Sequence, residues 1–380
     1  MWAVSPVFLT IREVVFARSR FALMGSVVAL TAILMVLLSG LSEGLVNDGV
    51  SGLKKLPVTS FAFERSVATD AAFSRSVVDL DAVDEWAGRP GVAEAAPFGN
   101  TLVNARTGGG VEIDLALFGV EPGSFVDPAP ASGERLGSNP GEVVVSATAV
   151  DAGVRLGDVV TLDRIGTELT VVGVLDGQHT FGHVDIGYVP LRTWQEVRLG
   201  IGPGDQAPAG TYDEVTAVAV RSDGADLGAA DAAAGTTSLT LGESFGASPG
   251  YTAETATLRM IQVFLYAISA LVVGAFFTVL TIHRKPEIAV LRAMGASTWY
   301  VLRDSLAQSL VLLLVSTGLG VGLGVAAGAA LATTPMPFAL SPGPVALASL
   351  LLIALGMVGA CVAVLRITKV DPLTALGGNR

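Results

Sequence analysis

Apolar residues run almost without charge through four stretches of the chain, residues 21–46, 258–282, 305–333 and 345–365. Each reaches the roughly 20 residues that carry a helix across a bilayer, so each predicts a transmembrane helix. Over residues 47–257 the pattern changes to short runs of alternating apolar and polar positions. Examples are GEVVVSA at 141–147, GDVVTLDRI at 157–165, ELTVVGVLDG at 168–177 and EVTAVAVRS at 214–222. Such alternation, punctuated by Gly, Pro and Asp, predicts strands. Helical spacing occurs at 79–87 and 191–199, and a Gly/Ala/Ser-rich return occupies 222–249. The expected fold is an α-helical membrane protein with four transmembrane helices and an inserted extracytoplasmic α+β domain in two lobes.

Composition agrees, since 51% hydrophobic and 15% charged residues are too apolar a mix for an ordinary soluble protein. The cations then set the orientation, because Lys and Arg near a membrane are retained on the cytoplasmic side. Arg12, Arg18 and Arg20 precede the first stretch; Arg284, Lys285, Arg292 and Arg303 fall between the second and third; Arg366, Lys369 and Arg380 follow the fourth. TPMPFALSPGP, between the third and fourth, has no charge. Both termini are therefore expected in the cytoplasm of a multi-pass plasma-membrane protein, with the large domain outside. That domain holds 12 basic against 29 acidic residues, which argues against a nucleic-acid partner. The first stretch is about twice the length of a signal-peptide core and no clear A-x-A site follows, so it is expected to be retained. The single cysteine, Cys361, permits no intrachain disulfide.

The resulting layout is a cytoplasmic amphipathic segment at 1–20, a first helix at 21–46, the external domain at 47–257 and a second helix at 258–282. A cytoplasmic helical connection follows at 283–304, then a third helix at 305–333, an external loop at 334–344, a fourth helix at 345–365 and a cytoplasmic tail at 366–380.

The 283–304 connection is longer than antiparallel spans require. From Pro286 it reads PEIAVLRAMGA, with proline at a first helical position, Glu287 beside it, apolar residues at 288, 291 and 294, and Gly295 as a stop. A short amphipathic helix with an exposed apolar edge predicts a docking surface for a cytoplasmic partner. In the external domain, QHTFGHVD places His179 and His183 four apart with Asp185 nearby. On a helix that spacing suits a metal; the flanking Gly177 and Gly182, and the strand before them, fit a loop between strands better. No nucleophile motif is legible and no G-x-x-x-x-G-K-[ST] occurs, so the chain is expected not to be an enzyme and ATP hydrolysis falls to another chain.

The order of one span, a large external domain and three spans, together with RKPEIAVLRAMGAS and the terminal RITKVDPLTALGG, resembles FtsX-like (MacB-type) ABC transporter permeases. GEVVVSATAVDAGVRLGDVVTL and LTVVGVL resemble the extracytoplasmic core domain of that superfamily. The resemblance implies the MacB-type permease fold. It also makes the 283–304 helix a coupling helix that fits a groove in an ATPase subunit, with Glu287, Ile288, Leu291, Arg292, Met294 and Gly295 in contact. Within the superfamily, SGLSEGL, PGYTAETATLRMI, TPMPFAL and VDPLTALGG look most like haem-exporter permeases of the HrtB type. That likeness implies export of haem from the membrane by a homodimer carrying two copies of a cytoplasmic HrtA-like ABC ATPase, which binds the ATP-Mg. The alternatives are an FtsX-like mechanotransmission permease that activates an external protein, and an exporter of peptide, antibiotic or lipid.

Small residues in the first span, Gly25, Ala29, Ala32, Ser39 and Gly40 with Val36 between them, come close to the seven-residue spacing of a left-handed helix pair. That face is expected to be a homodimer seam. Glu43 lies on or beside it near the outer end, with Ser39 four residues before and Met35 eight before. A carboxylate at membrane depth is paired, protonated or functional; at headgroup level it is simply solvated. Two copies meeting across a twofold axis would offer two oxygen ligands to a haem iron. The expected haem site joins Glu43, Met35, Ser39 and Gly40 to Tyr251, Arg259 and Met260 at the outer end of the second span. Arg259 either pairs with the propionates or anchors the helix at the headgroups. No C-x-x-C-H is present, so haem is expected as a transported ligand and no intrinsic cofactor is implied.

Overall fold

The computed structural model of the protein describes residues 18–283, 290, 294–295, 297–334 and 336–368. They fall into two compact units, one made of the described residues up to Gly44 and from Thr257 onward, the other of Leu45–Ala256.

The first element, α1 (Arg18–Lys55), is 38 residues long. At 1.5 Å per residue that is about 57 Å, nearly twice the hydrocarbon thickness of a bilayer. The helix therefore runs on past its apolar stretch. Its geometry breaks once, at Val50 (φ −145°, ψ 16°). Beyond the break Leu53 and Leu56 are buried in the core of the inserted domain.

The inserted unit holds β1 (Ser60–Glu64), β2 (Val78–Asp79), α2 (Asp81–Ala87), β3 (Val92–Thr107), β4 (Glu112–Val120), β5 (Ser132–Gly133), β6 (Glu142–Val145), β7 (Val159–Leu162) and β8 (Glu168–Val174). After these come β9 (Thr180–Phe181), β10 (Val184–Pro190), α3 (Leu191–Arg198), β11 (Glu214–Val215), β12 (Ala217–Ser222), α4 (Leu227–Ala234) and β13 (Thr236–Thr240). The main sheet runs β13-β1-β12-β3-β4-β10-β6-β8-β5, and β7 pairs with both β3 and β8. That double pairing closes β3, β4, β10, β6, β8 and β7 into a ring, with β12, β1 and β13 extending from the far end of β3. The ring and the three-stranded extension thus share one 11-stranded sheet, beside which β11 and β2 form a two-stranded sheet of their own. The 16-residue β3 serves both parts: Val92–Phe98 pair with β12 and Ala105–Thr107 with β7.

Alternate residues of the sheet feed two cores. On β4, Leu115 and Leu117 face one cluster and Ala116 and Phe118 the other, as the two-residue period of a strand requires. The second cluster is aromatic: Phe61, Phe73, Phe98, Phe118, Phe181 and Tyr188 meet mostly edge to face, with centroids such as Phe98–Phe118 at 4.8 Å and Phe73–Phe181 at 5.3 Å. Such pairs add about 0.5–1.5 kcal/mol each beyond area burial. In the first cluster, Gly99 and Gly119 sit directly opposite each other across β3 and β4. A Cβ at either would lie 2.2 or 2.4 Å from the fully buried Trp194 of α3, so the paired glycines form the slot that seats the indole.

The chain leaves the domain through α5 (Tyr251–His283) and continues in α6 (Thr298–Leu331) and α7 (Pro342–Thr368). With α1 these make, among the described residues, four helices long and apolar enough to cross a membrane. Met24, Val28, Ala32 and Met35 of α1 pack with Val273 and Phe277 of α5, Leu313 of α6, and Ala348, Leu352 and Ala360 of α7. Gly359 approaches Gly274 closely, so α5 and α7 touch backbone to backbone.

Candidate functional site

The homodimer seam expected on Gly25, Ala29, Ala32, Val36 and Gly40 is corrected by the packing within the chain. A Cβ on Gly25 would meet Ser316 Oγ at 2.9 Å, one on Gly320 would meet the Ala29 carbonyl oxygen at 2.4 Å, and one on Gly324 would meet Val36 at 2.9 Å. The small face of α1 is therefore filled by the glycine stripe of α6. The exposed stripe of α1 lies elsewhere, on Leu23, Leu30 and Leu34.

Towards the outer end of α1 the close approach passes to the loop between α6 and α7. The Phe338 ring occupies the place a Cβ on Gly40 would take, at 2.3 Å, and also abuts Gly328 of α6. Ala339 N–H donates to the Gly40 carbonyl at 3.0 Å, and the Pro337 carbonyl lies against Gly44. Sequence reasoning missed Phe338. The signal available was an aromatic residue in an uncharged loop, facing a helix that carries glycines four apart.

Met35, Ser39 and Glu43 follow one another at four-residue steps on α1 and share a face. Met35 is buried in the bundle core, whereas Ser39 and Glu43 are half-buried. Among the described residues Glu43 has no hydrogen-bond or ion-pair partner. The second group of expected haem residues divides. Arg259 and Met260 lie on the exposed part of α5 within the membrane unit. Tyr251 belongs to the inserted unit, where its ring packs on Phe245 at 6.3 Å.

Of the expected coupling residues, Glu287, Ile288, Leu291 and Arg292 lie outside the described residues. Met294 and Gly295 lie within them. Met294 N–H donates to the Val290 carbonyl at 3.0 Å, a helical turn, and Gly295 follows with φ +95°, a stop that glycine makes without strain. The Met294 side chain is 72% exposed.

The QHTFGHVD segment is a two-residue hairpin. Val184 pairs with Phe181, and the turn residues Gly182 and His183 both have positive φ (59° and 66°). The hairpin sends its polar groups in three directions. Asp185 accepts a hydrogen bond from Thr148, and burial pushes its carboxyl above the usual range. His179 is buried, and among the described residues its Nδ1 has no partner; burial, then the nearby Lys55 ammonium, pull its imidazole down to about 4. His183 instead spans two carboxylates, Nδ1 to Asp48 Oδ2 at 3.0 Å and Nε2 to Glu254 Oε2 at 2.9 Å. Among the described residues no three His, Cys, Asp or Glu side chains are grouped as a metal site.

The inserted unit also carries an open groove of about 840 Å³ lined by Arg192, Glu196, Tyr212 and the 201–207 loop. Its polar groups serve one another, with Tyr212 donating to Glu196 at 2.6 Å and the Arg192 guanidinium 4.4 Å above the Tyr212 ring.

Residues 259–372 match the family model described as FtsX-like permease C-terminal. Over 97% of its length the chain is 22% identical to a putative hemin transport system permease protein HrtB of Staphylococcus epidermidis, covering 99% of that protein. It is likewise 22% identical over 98% of its length to an uncharacterized ABC transporter permease of Mycobacterium tuberculosis, covering 99% of it. Among solved structures it is similar to the periplasmic region of MacB from Actinobacillus actinomycetemcomitans, with a TM-score of 0.36 and 15% identity over 49% of this chain and 91% of that one. Four apolar helices, a large domain inserted after the first and the match of the last three to the FtsX-like permease C-terminal model make this part of the chain similar to FtsX-like permeases.

Proposed function

We propose that the chain is an ABC transporter permease that exports haem from the membrane, driven by two copies of a cytoplasmic HrtA-like ABC ATPase that dock on the 283–304 segment of a homodimer. Both termini lie in the cytoplasm and the inserted domain outside. The observation that carries the reading is Glu43, a half-buried carboxylate on an apolar helix with no partner among the described residues of its own chain. An ionised carboxylate left unpaired at such a depth is costly, and a cation relieves the cost. The ferric iron of haem is a cation that accepts oxygen donors. Phe338, held between Gly40 and Gly328, supplies a flat apolar wall one turn away. The likeness to HrtB over nearly the whole chain supports the same cargo.

The second copy supplies the second Glu43. The small-residue face of α1 is occupied by α6, so the copies meet through another surface of the bundle. Arg259, exposed on α5, is the cation available to the propionates.

Hemin titrated into the detergent-purified protein tests the reading. The wild type should develop a Soret band. Glu43→Ala should bind hemin more weakly with a shifted spectrum, and Glu43→Gln should fall between, because the amide keeps an oxygen donor and loses the charge. Equal affinities and spectra in all three proteins would remove Glu43 from the site. A protein that binds no hemin and co-purifies with an external hydrolase would point to mechanotransmission instead.

A further inference from the structure

We propose that His183 is a proton-operated latch that ties together the ends of the first and second membrane-spanning helices where the chain enters and leaves the inserted domain. Three features of the inserted unit carry this. The first is position. Asp48 stands two residues before the break in α1 at Val50, and Glu254 lies in the first turn of α5. His183 reaches both, so one side chain bridges the segments through which any motion of α1 or α5 must pass.

The second is how firmly the hairpin grips the break. Gly182 N–H donates to the Gly49 carbonyl at 2.9 Å, Thr180 N–H to Ser51 Oγ at 2.9 Å, and Gln178 Nε2 to Asp48 Oδ1 at 2.8 Å. A Cβ on Gly49 would stand 3.7 Å from the His183 ring and 3.8 Å from Tyr251, so the three segments are in contact at this point. The hairpin thus moves with the helix break. His183 also holds a left-handed conformation at a turn position that Asn or Gly fills more readily, so the turn alone does not account for a histidine there.

The third is the protonation chemistry. A carboxylate only accepts hydrogen bonds, whereas a neutral imidazole donates from one nitrogen and presents a lone pair at the other. Both contacts are hydrogen bonds only when the ring carries two protons and a positive charge. Losing one proton turns one contact into lone pair against carboxylate and opens the bridge.

The charged groups facing the ring agree in sign. Asp48 comes from α1 and Glu254 from α5, and Asp185, on the hairpin itself, lies close enough to Asp48 to be raised by it. Lys54 is turned to Asn47 Oδ1 at 3.5 Å. Burial, the largest single influence, pulls the His183 imidazole down, but Asp48 and Glu254 together outweigh it and leave its pKa raised. A raised pKa makes the latch fully effective below the ordinary histidine value of about 6.5 and loosens it as pH rises through the folded value. The consequence for transport rests on the permease reading; the latch itself does not, and its test uses neither haem nor ATP.

The chain has three histidines, so selectively labelled histidine in the full-length protein gives resolvable NMR titrations, with His183 assigned by its loss in His183→Asn. His183 should titrate above 6.5, and Glu254→Gln should bring it down. Hydrogen exchange, corrected for intrinsic pH dependence, should show residues 47–55 and 176–183 losing protection several-fold across that titration in the wild type. In His183→Asn, which suits the left-handed turn, protection should be lower at acid pH and independent of it. Should His183→Asn fail to fold, Glu254→Gln alone must show a weakened pH dependence. Titration of His183 at or below 6.5, or the same exchange profile in wild type and variants, would overturn the proposal.

Discussion

Replacing Gly40 by alanine should release the loop between α6 and α7 from the outer end of α1. The added Cβ would stand 2.3, 2.7 and 2.8 Å from three carbons of the Phe338 ring, whereas ordinary contact begins near 3.4 Å. The ring would have to retreat by about 1 Å, and Gly328 of α6, which packs against the same tip of the ring, restricts where it can go. Overpacking of this kind costs about 1–3 kcal/mol, and losing the Ala339 N–H bond to the Gly40 carbonyl adds about 1. The total of about 2–4 kcal/mol corresponds to an open fraction about 30- to 700-fold larger. With Cys361→Ser as background, Ala339→Cys reports opening through its rate of reaction with a water-soluble maleimide. Gly40→Ala should raise that rate, and adding Phe338→Ala should return it to the rate of Phe338→Ala alone, because the clash partner is gone. A wild-type rate in Gly40→Ala would refute the packing argument. Additive effects of the two changes would refute it as well, and would return Gly40 to a helix of the second copy.

Val290→Pro should uncouple ATP hydrolysis by the partner from transport while leaving the inserted domain folded, since proline costs roughly 3 kcal/mol inside a helix. Unchanged transport and unchanged ATPase stimulation in reconstituted complexes would count against docking there. His179 makes a pH prediction of opposite sign to that of His183. Its folded pKa of about 4 lies below the unfolded value of about 6.5, so the unfolded chain binds the extra proton between them and stability falls as pH drops through that window, by about 3 kcal/mol at its end. His179→Gln should flatten that part of the stability profile measured by urea unfolding, and an unchanged slope would show that another group is responsible.

The four apolar helices were legible because a run of twenty apolar residues has few other uses in a chain of this composition. The extent of α1 beyond the membrane was not. Residues 47–55 alternate polar and apolar positions loosely, and their helicity depends on Val50, Leu53 and Leu56 reaching the phenylalanine cluster of the inserted domain. The strands at 142–145, 159–162, 168–174 and 217–222 stood out by alternation, but the longest strand, β3, did not. It carries Pro97, Gly99 and Asn100, residues that read as breakers, and Gly99 is tolerated because the bulk it lacks is supplied from α3 by Trp194.

The small-residue stripe of α1 was read correctly as a surface of close approach and assigned to the wrong helix. Small residues say that a backbone comes near, and not whose backbone it is. The deciding signal was present in the third span, where Gly320, Gly324 and Gly328 recur every four residues and match the spacing on α1. A complementary stripe within one chain is met at far higher effective concentration than one on a second copy, so it takes the site first. For His183 no local pattern was available, because Asp48 and Glu254 stand 135 and 71 residues away in the chain. What the sequence did hold was a Gly-His pair where a tight hairpin turn prefers Asn-Gly. A turn that keeps a histidine in a left-handed position gives up local stability, and two carboxylates brought to its ring by distant segments are the compensation the fold provides.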